Sequence, residues 1–521
     1  MKNKTKLTLE RFSTNQYRMI LEGIGVGFLT GLVVSVFRLG LEKAESLRGS
    51  VLDGAKTGGM MLALALAALF SAYLVVCYCG RKVPLAGGSG IPQVKGELKG
   101  QIEQNWWQII LAKFAGGIGA IGAGLSLGRE GPSIQLGAMV GKGFSRLTNK
   151  LRTEEKMLMT CGAGAGLAGA FSAPLAGVVF SLEELHKNFS TDILLSTMAA
   201  SVTSDFVSSY IFGLSPVFGL HVAGRLPLSR YWMVILLGIV LGVFGVFYNW
   251  MTAVVQDLYD KLPCKFMRVA VPFVCVAALA AVYPVVLGSG HDLVAEVARG
   301  DFALKALLVL LAAKFFFSII SFGSGVPGGI FLPLLVLGAI TGGLFADGVG
   351  GLAGYGDLYL ANFVILGMAG YFTAIVRAPI TGVLLITEMT GDFKNFLSLS
   401  IVALVSYLVA DILKGQPIYD QLLYRMLSKD SDYGTTEETR SHKVLLESDV
   451  YIGSPMDGEK IEEMLLPPGC LVVSVQRDKR EIVPSGSTVL KGGDRLILLC
   501  SQSFVKVVEE KLNNICKSIR Q

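Results

Sequence analysis

The chain has 521 residues, of which 52% are hydrophobic and only 17% charged; soluble domains carry about a quarter charged residues, so most of this chain is read as membrane-embedded. A formal charge of +6 is small for this length and excludes the dense positive field of a nucleic-acid binder, so no nucleic acid is expected as a partner. Eight scattered cysteines, including the pair in VVCYCG, and four histidines show no disulfide framework and no metal-ligand spacing; buried or reduced thiols are expected, with no metal and no cofactor.

In chain order, the basic start MKNKTKLTLERF lacks a short apolar region with a cleavage site, so no signal peptide is expected there. Lysine and arginine ahead of the first apolar run place the N-terminus in the cytoplasm by the positive-inside tendency. Apolar runs then recur at about 18–39, 58–80, 107–127, 157–183, 190–213, 232–254, 268–287, 303–321, 329–349, 360–388 and 396–413. Many are broken by Gly or Pro, and several are too short or too long for one perpendicular span of about 20 residues. Such irregularity predicts tilted, broken and re-entrant helices, as in a transporter or channel. The 63 glycines suit close helix packing and backbone that lines a cavity.

Three Gly/Pro-rich segments interrupt the apolar pattern: GGSGIP (87–92), GREGP (128–132) and GSGVPGGIFLP (323–333). In each, glycines precede a proline suited to the first turn of a helix. A helix N-terminus offers free N–H groups and partial positive charge, so three such segments predict an anion site built from backbone. GREGP also sets Arg129 beside Glu130 between two apolar stretches, where an intramembrane carboxylate costs about 3 kcal/mol or more. Gly164-Ala165-Gly166-Leu167-Ala168-Gly169 fits G-x-G-x-x-G, but TEEKMLMTCGA precedes it in place of a strand. Helix packing is therefore the reading, and not a dinucleotide fold. No G-x-S-x-G or metal cluster supports a membrane enzyme.

An internal repeat pairs AFSAPLAGVVFSLEEL (170–185) with AIVRAPITGVLLITEMT (374–390), and LGAMVG (136–141) with LGAITG (337–342). It aligns Pro174 with Pro379 and Glu183 with Glu388, two acids that read as structural polar anchors. Transporter repeats are commonly inverted, with the substrate site between them. Near residue 426 the chain turns polar, and 426–442 reads as a linker. In the tail, 471–476 and 480–484 flank the turn Arg477-Asp478-Lys479 as a hairpin, 494–500 reads as a third strand, and Val505, Val508, Leu512 and Ile515 share one helical face.

In this order and spacing, GSGIP, GREGP and GSGVPGGIFLP resemble the signature motifs of the CLC chloride channel and transporter family, over about residues 15–425. The resemblance implies an all-α polytopic membrane domain (1–425) of two inverted halves, working as a homodimer with one pore per subunit. It implies that the Ser89 hydroxyl, the backbone at Ile330 and Phe331 and the segment Arg129 to Gly131 cradle the anion. Tyr419 of KGQPIYDQL would close the inner side. Glu130 matches the external gate and proton acceptor, and Glu184 matches the internal proton-transfer acid of exchangers. Lys95 departs from exchangers that hold a further acid there, and Lys113 aligns with a buried lysine. Serine at 89 resembles chloride-selective members, and the intact GSGIP and Tyr419 argue against the fluoride-exporting branch.

The tail, 443–521, resembles the TrkA-C (RCK-C) regulatory domain, a small α+β module placed in the cytosol that dimerises and can take a small ligand. The absence of the paired CBS domains common in eukaryotic relatives points to a prokaryotic plasma membrane. The resulting expectation is a proton-coupled chloride antiporter in membrane lipid. A passive chloride channel on the same scaffold and an RCK-C-regulated cation transporter are the alternatives, although no TVGYG-like filter appears.

Overall fold

The computed structural model describes residues 2–55, 59–187, 190–220, 222, 224–351, 358–430, 443–464, 466, 470–477, 480–501 and 505–517. The chain divides into two compact units, one ending at Leu423 and the other beginning at Tyr424. The first unit is helical throughout: α1 (Lys2–Ala55), α2 (Gly59–Lys82), α3 (Ile91–Leu98), α4 (Trp106–Gly122), α5 (Glu130–Leu147), α6 (Arg152–Phe171), α7 (Pro174–Phe180) and α8 (Thr191–Phe212) form its first half. The second half comprises α9 (Tyr231–Asp260), α10 (Lys265–Val282), α11 (His291–Arg299), α12 (Leu304–Gly323), α13 (Phe331–Phe345), α14 (Leu360–Val376), α15 (Pro379–Thr390) and α16 (Phe396–Ile412), with α17 (Ile418–Asp430) running on past the division between the units.

Among the described residues, six helices are long and apolar enough to cross a membrane. Several of the others are short because proline breaks them. The apolar run 157–183 divides into α6 and α7, and 360–388 into α14 and α15, at Ala173-Pro174 and Ala378-Pro379. Proline has no N–H for the preceding turn and pushes the residue before it out of the helical region. At both breaks a non-glycine residue turns left-handed, Ser172 at φ 50° and Arg377 at φ 69°.

The repeated glycines explain how the halves pack. A Cβ on Gly137 or Gly141 of α5 would run into the carbonyls of Gly162 and Leu158 on α6. A Cβ on Gly338 or Gly342 of α13 would meet the carbonyls of Gly367 and Phe363 on α14 in the same way. LGAMVG and LGAITG are therefore close-contact seams, each bringing two backbones together. The G-x-G-x-x-G run lies within α6, where Gly166 meets the Ser133 carbonyl and Gly164 packs against Ser181 and Gly177. It is a packing surface.

The second unit holds a four-stranded antiparallel sheet in the order β1-β4-β2-β3, from β1 (Lys443–Asp449), β2 (Leu471–Arg477), β3 (Arg480–Ile482) and β4 (Arg495–Ser501). Helix α18 (Val505–Leu512) buries Val508 and Leu512 in one core with Val472, Val475, Leu496 and Leu498. The hairpin and the third strand fall where the sequence predicts them. Of the predicted turn, Asp478 and Lys479 lie outside the described residues. Strand β1 was not foreseen, since KVLLESD carries little alternation at its polar ends. Of the predicted linker, 426–430 instead continue α17, and 431–442 lie outside the described residues.

Candidate functional site

The three glycine-rich segments meet. Gly128 and Gly329 exchange backbone hydrogen bonds of 2.7 and 2.8 Å, and Gly88 donates to the carbonyls of Gly325 and Val326 at 3.1 Å. The amide of Gly328 returns a bond of 3.0 Å to the Gly88 carbonyl. The loops thus satisfy one another's backbone groups, as buried loops must. A Cβ on Gly131 would lie 2.8 Å from the Ser89 carbonyl and 3.3 Å from the Gly329 Cα, so any larger residue there would wedge the three segments apart. Lys113, fully buried on α4, donates to the carbonyls of Ala86 (3.0 Å) and Gly88 (2.7 Å) and pins the Ser89 loop from behind.

From this junction α3, α5 and α13 start, at Ile91, Glu130 and Phe331. None of the three has a side chain of its N-cap residue closing the first turn, which leaves amide donors and the positive helix ends facing inward. The prolines fall as the sequence reading expects: Pro92, Pro132 and Pro333 lie in the first turns of α3, α5 and α13, while Pro327 precedes α13. The Ser89 hydroxyl is buried and accepts from the Ile91 amide at 3.3 Å, which leaves its own proton to donate. Ile330 caps α13, and the Phe331 ring packs at 4.6 Å from Phe372 and 5.4 Å from Phe171.

Glu130 opens α5 with no solvent exposure, and neither carboxylate oxygen makes a hydrogen bond of normal geometry among the described residues. The amides of Glu130 and Leu332 lie beside it. The carboxylate therefore sits at the starts of α5 and α13, where a free anion would be held. Arg129 turns the other way, its guanidinium 3.8 Å from Glu42 on α1. Adjacent residues at a helix start project in different directions, so Arg129 adds field at Glu130 without pairing with it. An open cavity of ≈ 460 Å³ reaches this point, lined by Arg129 and Leu332 together with Arg38, Glu42, Arg48 and His291.

A second cluster forms where α3, the turn after α7 and α17 come together. Glu184 lies in a single π-turn, Ser181–His186. Its carboxylate is 2.6 Å from Lys95 Nζ, which is also 2.6 Å from Asp420. Lys187 approaches Asp420 at 3.1 Å. Tyr419 precedes Asp420, is fully buried, and its hydroxyl has no hydrogen-bond partner among the described residues. That hydroxyl interacts electrostatically with Glu184 and with Glu130. The predicted residues thus form two groups, Ser89, Arg129, Glu130, Gly131, Ile330 and Phe331 in one, Glu184 in the other, with Tyr419 in the field of both acids. Sequence reasoning missed Asp420, whose only signal was a charge directly after Tyr419.

Residues 68–411 match the family described as voltage gated chloride channel. The chain belongs to that family, the CLC proteins. Residues 445–513 match the TrkA-C domain. Among curated relatives of this CLC chain, the H(+)/Cl(-) exchange transporter ClcA of Vibrio cholerae serotype O1 is 35% identical over 415 residues, 77% of this chain and 88% of the relative. The ClcA protein of Salmonella agona is 34% identical over 78% of this chain and 88% of its own length. Among solved structures, a slow cyanobacterial Cl−/H+ antiporter superposes with a TM-score of 0.76 at 32% identity, over 80% of this chain and 99% of that one. A eukaryotic CLC transporter, 21% identical with a TM-score of 0.66 over 78% of this chain, shares the fold.

Proposed function

We propose that this CLC protein exchanges chloride for protons across the membrane. The observation that carries the reading is the Glu130 carboxylate, buried at the starts of α5 and α13 and beside the Ser89 loop, with no hydrogen bond of normal geometry among the described residues. A carboxylate resembles chloride in charge and also binds a proton. Deprotonated, it occupies the anion's place among the helix N-termini; protonated, it is neutral and yields that place to chloride. Ser89, Gly131 and the amides at Ile330 and Phe331 hold the anion, and Tyr419 closes the side toward Glu184. Glu184 supplies protons from the inner side. Relatives bearing exchanger names support this reading over the cation-transport alternative.

A pair of such subunits in a prokaryotic plasma membrane, with both termini in the cytoplasm, completes the proposal. The TrkA-C domain then serves as a regulatory module for a small ligand. The test is reconstitution into liposomes with a chloride gradient and no proton gradient. Proton uptake driven by chloride efflux is the expected result. Chloride flux that moves no protons would instead establish a passive channel, and a chloride-independent cation current would overturn both.

A further inference from the structure

We propose that Lys95 is the proton relay between solvent and Glu184, and that Asp420 is its outer acceptor. The inference rests on the antiport reading above and names the route by which Glu184 is loaded.

Glu184 is nearly closed off, with 4% of its side chain exposed, and Lys95 is wholly buried against it. Asp420 keeps 31% of its side chain exposed. Lys95 Nζ stands at 2.6 Å from each carboxylate, so one ammonium bridges a buried acid and a solvent-reaching one. An ammonium has three donor hydrogens and, unlike a guanidinium, can give one up. Among the described residues, the other charges around the cluster are Lys187, on Asp420, and Lys99, within the field of Asp420, Lys95 and Glu184.

The step balances in protons and charge. Lys95 Nζ–H breaks as an O–H bond forms on Glu184, converting an ammonium–carboxylate pair into an amine and a carboxylic acid. A proton from water arrives on Asp420 and passes to the Lys95 amine, restoring the ammonium. One proton has moved from solvent to Glu184, and Lys95 and Asp420 are as they began. Lys187 keeps Asp420 turned toward the relay by its own ion pair. A purely structural ion pair would need a positive charge at this position and nothing more.

Lys95→Arg separates these cases, because arginine keeps the charge and the reach but does not release a proton in proteins. In chloride-loaded liposomes, wild type, Lys95→Arg and Asp420→Asn are compared for protons taken up per chloride released. The expected result is at least a tenfold fall in that ratio for Lys95→Arg and a severalfold fall for Asp420→Asn. An unchanged ratio in Lys95→Arg overturns the relay, since charge alone would suffice. Should Lys95→Arg fail to fold, Asp420→Asn at the partly exposed position decides, and an unchanged ratio there overturns the route. Wild type that takes up no protons would overturn the antiport reading itself, a result distinct from either.

Discussion

Glu183 and Glu388 cap one another's neighbouring helices. The Glu388 carboxylate, on α15, accepts from the amides of Leu175 (3.0 Å) and Ala176 (2.8 Å) at the start of α7. Glu183, just after α7, accepts from the Thr381 amide (2.8 Å) and hydroxyl (2.7 Å) and the Ile380 amide (3.3 Å) at the start of α15. Helices begun by proline in an apolar setting leave donors that only a neighbour can satisfy. The repeat thus uses each glutamate to close the other half's helix. Glu183→Ala and Glu388→Ala should each cost about 1.5–3 kcal/mol, the worth of hydrogen bonds to a charged acceptor. Thermal unfolding in detergent measures this. Two acids one residue apart then separate by role: Glu184→Gln should lose proton coupling.

Glu130→Gln tests the gate. The amide keeps the shape of the side chain but never carries the negative charge that, in the proposed cycle, competes with chloride at the starts of α5 and α13. Chloride should still move in liposomes while uphill proton uptake disappears. Proton uptake at the wild-type rate would remove Glu130 from the coupling.

Lys113 and Lys314 offer a matched pair. Lys314 donates to the carbonyls of Val286 (2.9 Å) and Gly288 (2.7 Å), repeating in the second half what Lys113 does for Ala86 and Gly88. Methionine at 113 strips the lysine from the Ala86 carbonyl and leaves the Gly88 carbonyl with the Gly328 amide alone, and methionine at 314 strips it from the Val286 and Gly288 carbonyls, a loss of about 1–3 kcal/mol at each position. Only the Lys113 loop carries Ser89. Lys113→Met should therefore weaken chloride binding, read by titration calorimetry, by about tenfold, and Lys314→Met should lower thermal stability with chloride affinity kept. Equal loss of affinity in both would mean that the effect is global.

The backbone features of the site were legible because they are local. Glycine before a helix start, a proline in the first turn and a carboxylate out of place in lipid are each visible in a few residues. GSGIP, GREGP and GSGVPGGIFLP led to the junction of α3, α5 and α13 on those grounds, and the Glu183–Glu388 alignment led to the reciprocal caps. What stayed hidden depends on contact between distant segments. Lys95 read as a departure from an acid, whereas in the fold it binds Glu184 and Asp420, 89 and 325 positions away by chain number. Helix α5 was foreseen only at its start, at GREGP, and no apolar run was read along its length, because its glycines and polar residues dilute the apolar signal while Gly137 and Gly141 earn their place only against α6. Strand β1 pairs with β4, about fifty residues later, and nothing within seven residues announces that.

Asp494 gives the C-terminal sheet a defined pH limit. Its carboxylate is 1% exposed and takes both arms of Arg477, at 2.8 and 2.7 Å, and the Lys491 amide at 2.8 Å. Burial pushes this carboxyl up, but the Arg477 guanidinium and the Lys491 amide outweigh it and hold the group below the ordinary aspartate value. A folded value below the unfolded one means that the contribution is complete above about pH 4 and fades as pH falls through the folded value. Hydrogen exchange of the β2 and β4 amides in the full chain should therefore be level from pH 7 to about pH 5, once corrected for intrinsic rates, and rise in more acidic buffer. Asp494→Asn leaves the Arg477 guanidinium facing a neutral amide. At about 2 kcal/mol for the lost charged hydrogen bonds, exchange in the two strands should speed up about thirtyfold at pH 7 and lose this part of its acid dependence. Exchange that rises with acid as steeply in Asp494→Asn as in wild type would assign the pH limit to another carboxylate.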